Sequence, residues 1–379
     1  MKKKLLVSSL TYYSKGHSKE YVDNFYKHLC RDVDMTLFNY GGKAEFQGSE
    51  VSVPGDSEGL NYMTAGSGAV YGKIIRRFCF SFRLYRKIYS YIRASSSNTI
   101  IFMDYEYISL LFFIFFLPAR VNPIVCIHSA STSGSFPYRL YKMLFFFVLR
   151  KKKNIKYVVN GKVAYDLLKE VVPEKSISLI QYPSELNCLP LNREDAKHKM
   201  QIPGKIIISL IGMIRKDKKY EDAIRAYSNS ICNDDNRFLL VVAGAPANVT
   251  ENEVRGWLDK YNIKNCNLNL SYLSEVELNC LFSASDYLLV PYGVGGSSQS
   301  GPLSLCRNYN LPAIAPRGGE IGGYIEREKV GYLFDGFDEL TLLLDSICSG
   351  SLRDTRVFIA KAKEKYSWGV AKKRYIDIF

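Results

Sequence analysis

"VPYGVGGSSQSGPLSLCRNYNLPAIAP", residues 290–316, decides the architecture of the chain's second half. An apolar run ending at Val290 empties into a loop of glycines and serines, and a second apolar run closes it at 313–316. Ser300 and Gly301 stand where an N-cap belongs, with Pro302 at the first helical position, the expected start chemistry of a helix. Strand, Gly-rich loop, helix and strand make a crossover unit, so the stretch predicts parallel strands. A loop this bare admits close approach to its backbone, and the N–H groups and dipole of a helix start favour phosphate. No Asp or Glu occurs between Asp286 and Glu320 to repel an anion. "GVGGSS" lacks the spacing of the dinucleotide fingerprint, and it does not follow the first strand of its domain.

The alternation extends upstream. "KIIISLIG" (205–212), "RFLLVVAG" (237–244), "NLNLSYL" (267–273) and "DYLLV" (286–290) read as strands, with helices over 219–231, 251–261 and 274–284. Earlier, "LLVSSL" (5–10), "TIIFM" (99–103), "PIVCI" (123–127), "KYVV" (156–159) and "SISLI" (176–180) read the same way. Helices are expected over 18–30, 73–93, 106–117 (a buried one), 137–150 and 161–170, and 41–72 as loop. Residues 181–204, with Pro183, Pro190 and Pro203, interrupt the pattern and read as a linker. Two successive parallel α/β domains imply a ligand crevice at the carboxyl ends of the strands, between the domains.

Composition agrees. A chain of 379 residues exceeds one ordinary core, and two domains of roughly 180 residues are the natural division. The net charge of +14 is uneven: residues 1–190 hold 26 Lys/Arg against 14 Asp/Glu, the remainder 25 against 23. The N-terminal half is thus expected to face an anion, whether nucleic acid, a lipid surface or a phosphorylated acceptor. Nine cysteines without a CxxC read as buried thiols in a reducing compartment, and four scattered histidines give no metal site. The start, "MKKKLLVSSLTYY", has too short an apolar region for a signal peptide and reads as a first buried strand. "ISLLFFIFFL" (108–117) has about half of the ~20 apolar residues a bilayer span needs.

In "SLIGMIRKDKKYEDAIRAY", Gly212 follows a strand, and Arg215, Lys216, Lys218 and Lys219 stand before a helix. Cations at a strand's carboxyl end suit a diphosphate, because they neutralise charge that builds on a leaving phosphate. A solvated basic turn is the alternative. The order strand–G-x-I-R-x-x-K, strand–"AGAP", "SASDYLLVPY…SGPLSL…LPAIAP…VGYLFD" resembles the donor half of GT-B glycosyltransferases of the family 4 type. In the first half, Gly16, "NPIVCIHSAS" and "IKYVVNGKVAYDLL" resemble the same family, as does the closing "YSWGVAKKRYIDIF".

The resemblance implies two Rossmann-like, doubly wound parallel-sheet domains facing across a cleft. It places an acceptor-binding domain at 1–185, a linker at 186–204, a nucleotide-sugar domain at 205–360 and a helix at 361–379 crossing back to the first domain. Arg215 and Lys218 would hold the donor's diphosphate, with Lys219 as the alternative one position on. Gly212, Tyr292 and the backbone around Ser300, Gly301 and Pro302 would complete the donor site. His128 would sit at the sugar, and Gly16 and His17 on the acceptor side. The family's two glutamates, eight positions apart, fall here on Ser297 and Leu305, neither acidic.

"KIIRRFCFSFRLYRKIYSYIR" (73–93) and "YRLYKMLFFFVLRKKK" (138–153) interleave cations with aromatics, a composition suited to an anionic bilayer surface. Neither matches a nucleic-acid-binding motif, so no nucleic acid is expected. The expectation is a metal-independent, hexosyl-type glycosyltransferase without cofactor, its co-substrate a UDP- or GDP-linked sugar and its acceptor a lipid-linked glycan. It would work at the inner face of a bacterial plasma membrane in O-antigen, capsule or exopolysaccharide assembly. A non-catalytic sugar-nucleotide or glycan binder and an epimerase of the same fold are the alternatives.

Overall fold

The structure is a computed structural model that describes residues 2–13, 18–41, 45–55, 70–127, 145, 147, 154–186, 188–293 and 300–379, with backbone alone over 70–74. The chain divides into two compact units, Met1–Gln181 with Trp368–Phe379, and Tyr182–Ser367. Each is built on one parallel sheet, because nearly every apolar run is followed by a segment long enough to cross back over it.

In the first unit the strands are β1 (Lys3–Ser9), β2 (Val33–Tyr40), β3 (Ser49–Val53), β4 (Thr99–Phe102), β5 (Asn122–Ile127), β6 (Lys156–Val159) and β7 (Ile177–Leu179). They lie in the order β3-β2-β1-β4-β5-β6-β7. β1 pairs β2 from Lys3↔Val33 to Ser9↔Asn39 and β4 from Leu5↔Thr99 to Ser8↔Phe102. The helices are α1 (Ser18–Leu29), α2 (Val70–Ala94), α3 (Tyr107–Phe116) and α4 (Lys162–Lys169). One core joins Leu6, Phe38, Phe102 and Val125 of the sheet to Leu84 and Tyr85 of α2 and Phe113 of α3.

The second unit holds α5 (Arg193–Lys199), β8 (Ile206–Ile211), α6 (Tyr220–Ser228), α7 (Ile231–Asp234), β9 (Phe238–Ala243), α8 (Glu251–Lys260) and β10 (Cys266–Asn269). These are followed by α9 (Glu275–Ala284), β11 (Tyr287–Leu289), α10 (Gly301–Cys306), β12 (Ala313–Pro316), α11 (Gly319–Glu328), β13 (Gly331–Phe334), α12 (Phe337–Cys348) and α13 (Arg356–Lys365). Its sheet runs β10-β9-β8-β11-β12-β13, all parallel, with a separate apolar core on each face. Capping boxes at Thr250/Glu253 and Ser274/Glu277 start α8 and α9. The chain's last helix, α14 (Trp368–Ile378), belongs to the first unit.

Several expectations change. β2 and β3 are strands the pattern does not announce, β3 lying inside the expected loop 41–72, because polar side chains zip them. Asn39 Nδ2 donates to Glu50 Oε1 at 2.9 Å and Ser52 Oγ to Asn39 Oδ1 at 2.7 Å. α3 was expected to be buried, yet Ile108, Phe112, Phe115 and Phe116 are exposed. A helix lying on one face of a sheet hides one side only, here Ser109, Leu110, Phe113 and Ile114. The expected linker contains α5, capped by Asn192 and held by Arg193 and Lys197 on Asp286 at 3.2 and 3.1 Å. Cys79 and Cys188 are exposed, whereas Cys126, Cys232 and Cys306 are buried as expected. Of the expected helix 137–150, only Phe145 and Phe147 lie among the described residues. No helix of the described residues is long and apolar enough to cross a membrane.

Candidate functional site

Each sheet reverses its strand order once, between β1 and β4 in the first unit and between β8 and β11 in the second. The carboxyl ends of the strands at such a reversal are where doubly wound sheets bind ligands. In the second unit these ends carry the basic turn after β8 and, after β11, residues 291–293; residues 294–299 of the Gly-rich loop lie outside the described residues.

The turn after β8 is held rigidly. Gly212 takes φ +118°, and a Cβ there would meet Pro302 Cγ at 3.2 Å and Lys218 Nζ at 3.6 Å. Gly244, after β9, packs so close that a Cβ would lie 2.2 Å from the Gly212 oxygen. Ile214 N–H donates to the Ala245 carbonyl at 3.0 Å, and Lys216 N–H to Asn248 Oδ1 at 2.9 Å. A single 3₁₀ turn, Lys216–Lys218, then ends on Lys219 in the left-handed region (φ 56°) and passes into α6.

This geometry separates the two lysines. Lys219 points outward, its side chain 53% exposed and its Nζ 3.9 Å from Asp222. Lys218 is 9% exposed and lies over the Tyr292 ring, Nζ 4.7 Å from the centroid. No acid pairs with Lys218 among the described residues. Burial, reinforced by the Arg215 charge and opposed by Asp217, lowers its pKa to about 8. Arg215 donates through Nε and Nη2 to the Asp217 carboxylate at 3.0 and 2.8 Å. Sequence reasoning overlooked Asp217, although it stands between the cations in "RKDKK".

The loop after β11 arrives from the other side. Gly293 N–H reaches the Asp217 carbonyl at 3.4 Å. Burial pushes the Tyr292 phenol up to about 12, against the opposing effect of the nearby Ser300 side chain. Ser300 caps α10, accepting from Leu303 N–H at 3.4 Å, with Pro302 in the first turn. Having no N–H, Pro302 contributes its ring, which roofs Gly212. Buried Arg307 holds the end of α10, donating through Nη2 to the Tyr182 carbonyl at 2.7 Å and through Nη1 to the Tyr324 hydroxyl at 3.3 Å. No motif pointed to Arg307; its only sequence signal is a lone cation between apolar runs.

Gly212, Lys218, Tyr292, Ser300 and Pro302 are therefore brought together, with Arg215 alongside. Gly301 is the first residue of α10, and Leu305 sits in the same helix, partly buried against the core. Gly16, His17, His128 and Ser297 lie outside the described residues.

The reversal in the first unit is filled differently. Asp104, just past β4, accepts from Ser9 Oγ (2.6 Å), Leu10 N–H (2.8 Å), Thr11 N–H (3.2 Å) and Thr11 Oγ1 (2.9 Å). One carboxylate thus pins the chain leaving β1.

No protein-family model matches the sequence, and no curated protein does. Solved structures match along the whole chain. HepE from Anabaena, in complex with UDP and glucose, has a TM-score of 0.72 at 10% identity over 99% of this chain and 98% of its own. Sucrose-phosphate synthase from Thermosynechococcus elongatus reaches 0.76 at 13% identity over 100% and 98%. WaaG, a glycosyltransferase involved in lipopolysaccharide biosynthesis, reaches 0.67 at 13% over 99% and 98%. Two parallel-sheet α/β units and these neighbours together give the chain the GT-B fold.

Proposed function

We propose that the chain is a glycosyltransferase that moves a hexosyl-type group from a UDP- or GDP-linked donor to a lipid-linked oligosaccharide. It would work at the cytoplasmic face of a bacterial membrane, in surface polysaccharide assembly. The observation that carries the reading is Lys218: a buried ammonium without an acid partner among the described residues, at the strand-order reversal, beside a glycine that leaves room. A buried lone charge is costly, and an anionic ligand is the natural compensation. HepE has been crystallised with UDP-glucose, which supports a nucleotide-sugar as that anion.

In the reaction, the bond from the anomeric carbon to the β-phosphate oxygen breaks and its electron pair stays on phosphate. Lys218 and Arg215 neutralise that charge, and no step requires a metal. The acceptor hydroxyl attacks the anomeric carbon; its proton leaves to a base or, if configuration is retained, to the departing phosphate. On resemblance, His128 is assigned to the sugar, and Gly16 and His17 to the acceptor.

The test is a screen of radiolabelled nucleotide-sugars against membrane extract, scored for label in the lipid fraction. The Arg215→Ala/Lys218→Ala double variant should lose transfer by ~10³-fold or more with its fold intact, and EDTA should change nothing. Unchanged turnover in the double variant removes this site. The acid-free positions Ser297 and Leu305 favour a second reading, a non-catalytic binder, for which titration calorimetry would give donor binding with no transfer to any acceptor.

A further inference from the structure

The helix expected to be buried, α3, carries an exposed apolar face. α2 and α3 lie side by side and parallel, with α2 residues level with those 28 positions later. Arg77 Nη2 donates to the Tyr105 carbonyl at 3.1 Å, Ser81 and Ser109 hydroxyls meet at 2.6 Å, and Tyr85 stacks on Phe113 at 4.9 Å. Outward from this seam stand Phe112 (54% exposed), Phe115 (68%) and Phe116 (65%) of α3, and Ile75 (64%) and Phe82 (45%) of α2. The same α2 exposes Arg83, Arg86, Lys87 and Arg93, and neither helix contains an Asp or Glu. The ion pairs described in this unit involve none of these cations.

A cluster of exposed phenylalanines gains from an apolar medium, and an acid-free row of cations is drawn to an anionic one. A second copy would set like charges against each other, and a polyanion alone would leave the phenylalanines in water. An anionic bilayer supplies both within the depth of one headgroup layer. At ten residues, α3 is about 15 Å long, half a bilayer core, so it lies in the surface instead of crossing it.

We propose that the exposed face of α3, with Ile75 and Phe82 beside it, inserts into the headgroup–acyl boundary of an anionic membrane while the α2 cations lie against lipid phosphates. This rests on the membrane reading above and assigns its anchor to α3, attachment being by insertion and not by charge alone.

The test is co-sedimentation of the full chain with phosphatidylcholine vesicles and with vesicles containing about a third phosphatidylglycerol. The wild type should bind the anionic vesicles and keep part of that binding in ~1 M salt, where the screening length falls to about 3 Å. Phe112→Ser/Phe115→Ser/Phe116→Ser should bind roughly tenfold or more weakly and lose all binding at high salt. Arg83→Gln/Arg86→Gln/Lys87→Gln/Arg93→Gln should lose about fivefold per site at low salt. Phe115→Trp, a surface change that leaves the core alone, should show blue-shifted emission relative to wild type on adding anionic vesicles. A triple variant that binds like wild type, or a Phe115→Trp variant whose added emission stays put, overturns the α3 anchor and leaves charge-driven attachment standing. No wild-type binding to either vesicle overturns both. A wild-type dimer that the triple variant turns into a monomer, without vesicle binding, makes the face a contact between copies and overturns the proposal.

Discussion

The two strand-order reversals are topologically alike and electrostatically opposite. In the first unit a carboxylate, Asp104, stands at the carboxyl ends of the strands, covered by donors from Ser9, Leu10 and Thr11. In the second an ammonium, Lys218, stands past β8, on the other strand of the reversal, over an aromatic ring and with no acid partner among the described residues. A satisfied charge builds structure, whereas a buried unsatisfied one is costly unless something compensates it. The same fold thus holds one end by internal hydrogen bonds and leaves the other with a cation that has no acid partner among the described residues, where we propose the donor binds.

The contrast predicts opposite responses to neutralising the two charges. Lys218→Met should cost transfer ~10²–10³-fold, while raising the thermal midpoint because a buried lone charge has gone. A lower midpoint in that variant would mean that Lys218 is structural after all. Gly212→Ala comes next: at φ +118°, with Pro302 and Lys218 in the way, it should lower stability by about 1–3 kcal/mol and weaken donor binding. Asp104→Ala leaves four donors without their acceptor and should cost about 2–3 kcal/mol of stability in a denaturant melt. Donor affinity measured in the same variant should stay near wild type; a loss there as large as at Lys218 would erase the contrast.

Proton linkage sharpens it further. The folded pKa of Lys218, about 8, lies below its ordinary value of 10.5. Between these values the unfolded chain binds the extra proton, so this residue adds stability as pH rises from 8 toward 10.5. Donor affinity should move the other way, falling above about pH 8 as the ammonium is lost, and both slopes should vanish in Lys218→Met. Smallest of all, Lys219→Ala should shift stability by no more than about 0.5 kcal/mol, since its side chain faces solvent.

Period and punctuation made most of the sheet legible. Runs such as "KIIISLIG" and "RFLLVVAG" have one reading when helices of the right length separate them. β2 and β3 escaped because buried Thr36 and Asn39 break the apolar pattern, and the partners of Asn39, Glu50 and Ser52, are ten or more residues away. α3 shows the opposite error. Ten apolar residues in a row say how greasy a helix is and nothing about how many sides of it are covered. In the turn after β8, spacing located the cations, but telling the buried Lys218 from the exposed Lys219 required the left-handed cap at Lys219, a backbone fact no residue type announces. Arg215 was legible as a cation and illegible as a paired one, because Asp217 reaches back across a turn of only two residues.

The closing helix α14 has a consequence for how the protein is made. Tyr375 hydrogen-bonds Tyr21 at 2.6 Å and meets Phe25 edge-on at 4.9 Å, Trp368 stacks on His28 at 5.4 Å, and Lys156 Nζ donates to the Ile378 carbonyl. The first unit's α1 therefore waits for the last dozen residues of the chain. At ~5–20 residues per second, a ribosome needs roughly ten to forty seconds to lay down the second unit before those residues appear. During that interval the nascent first unit presents bare aromatic surface, and a chain cut short near its end never covers it.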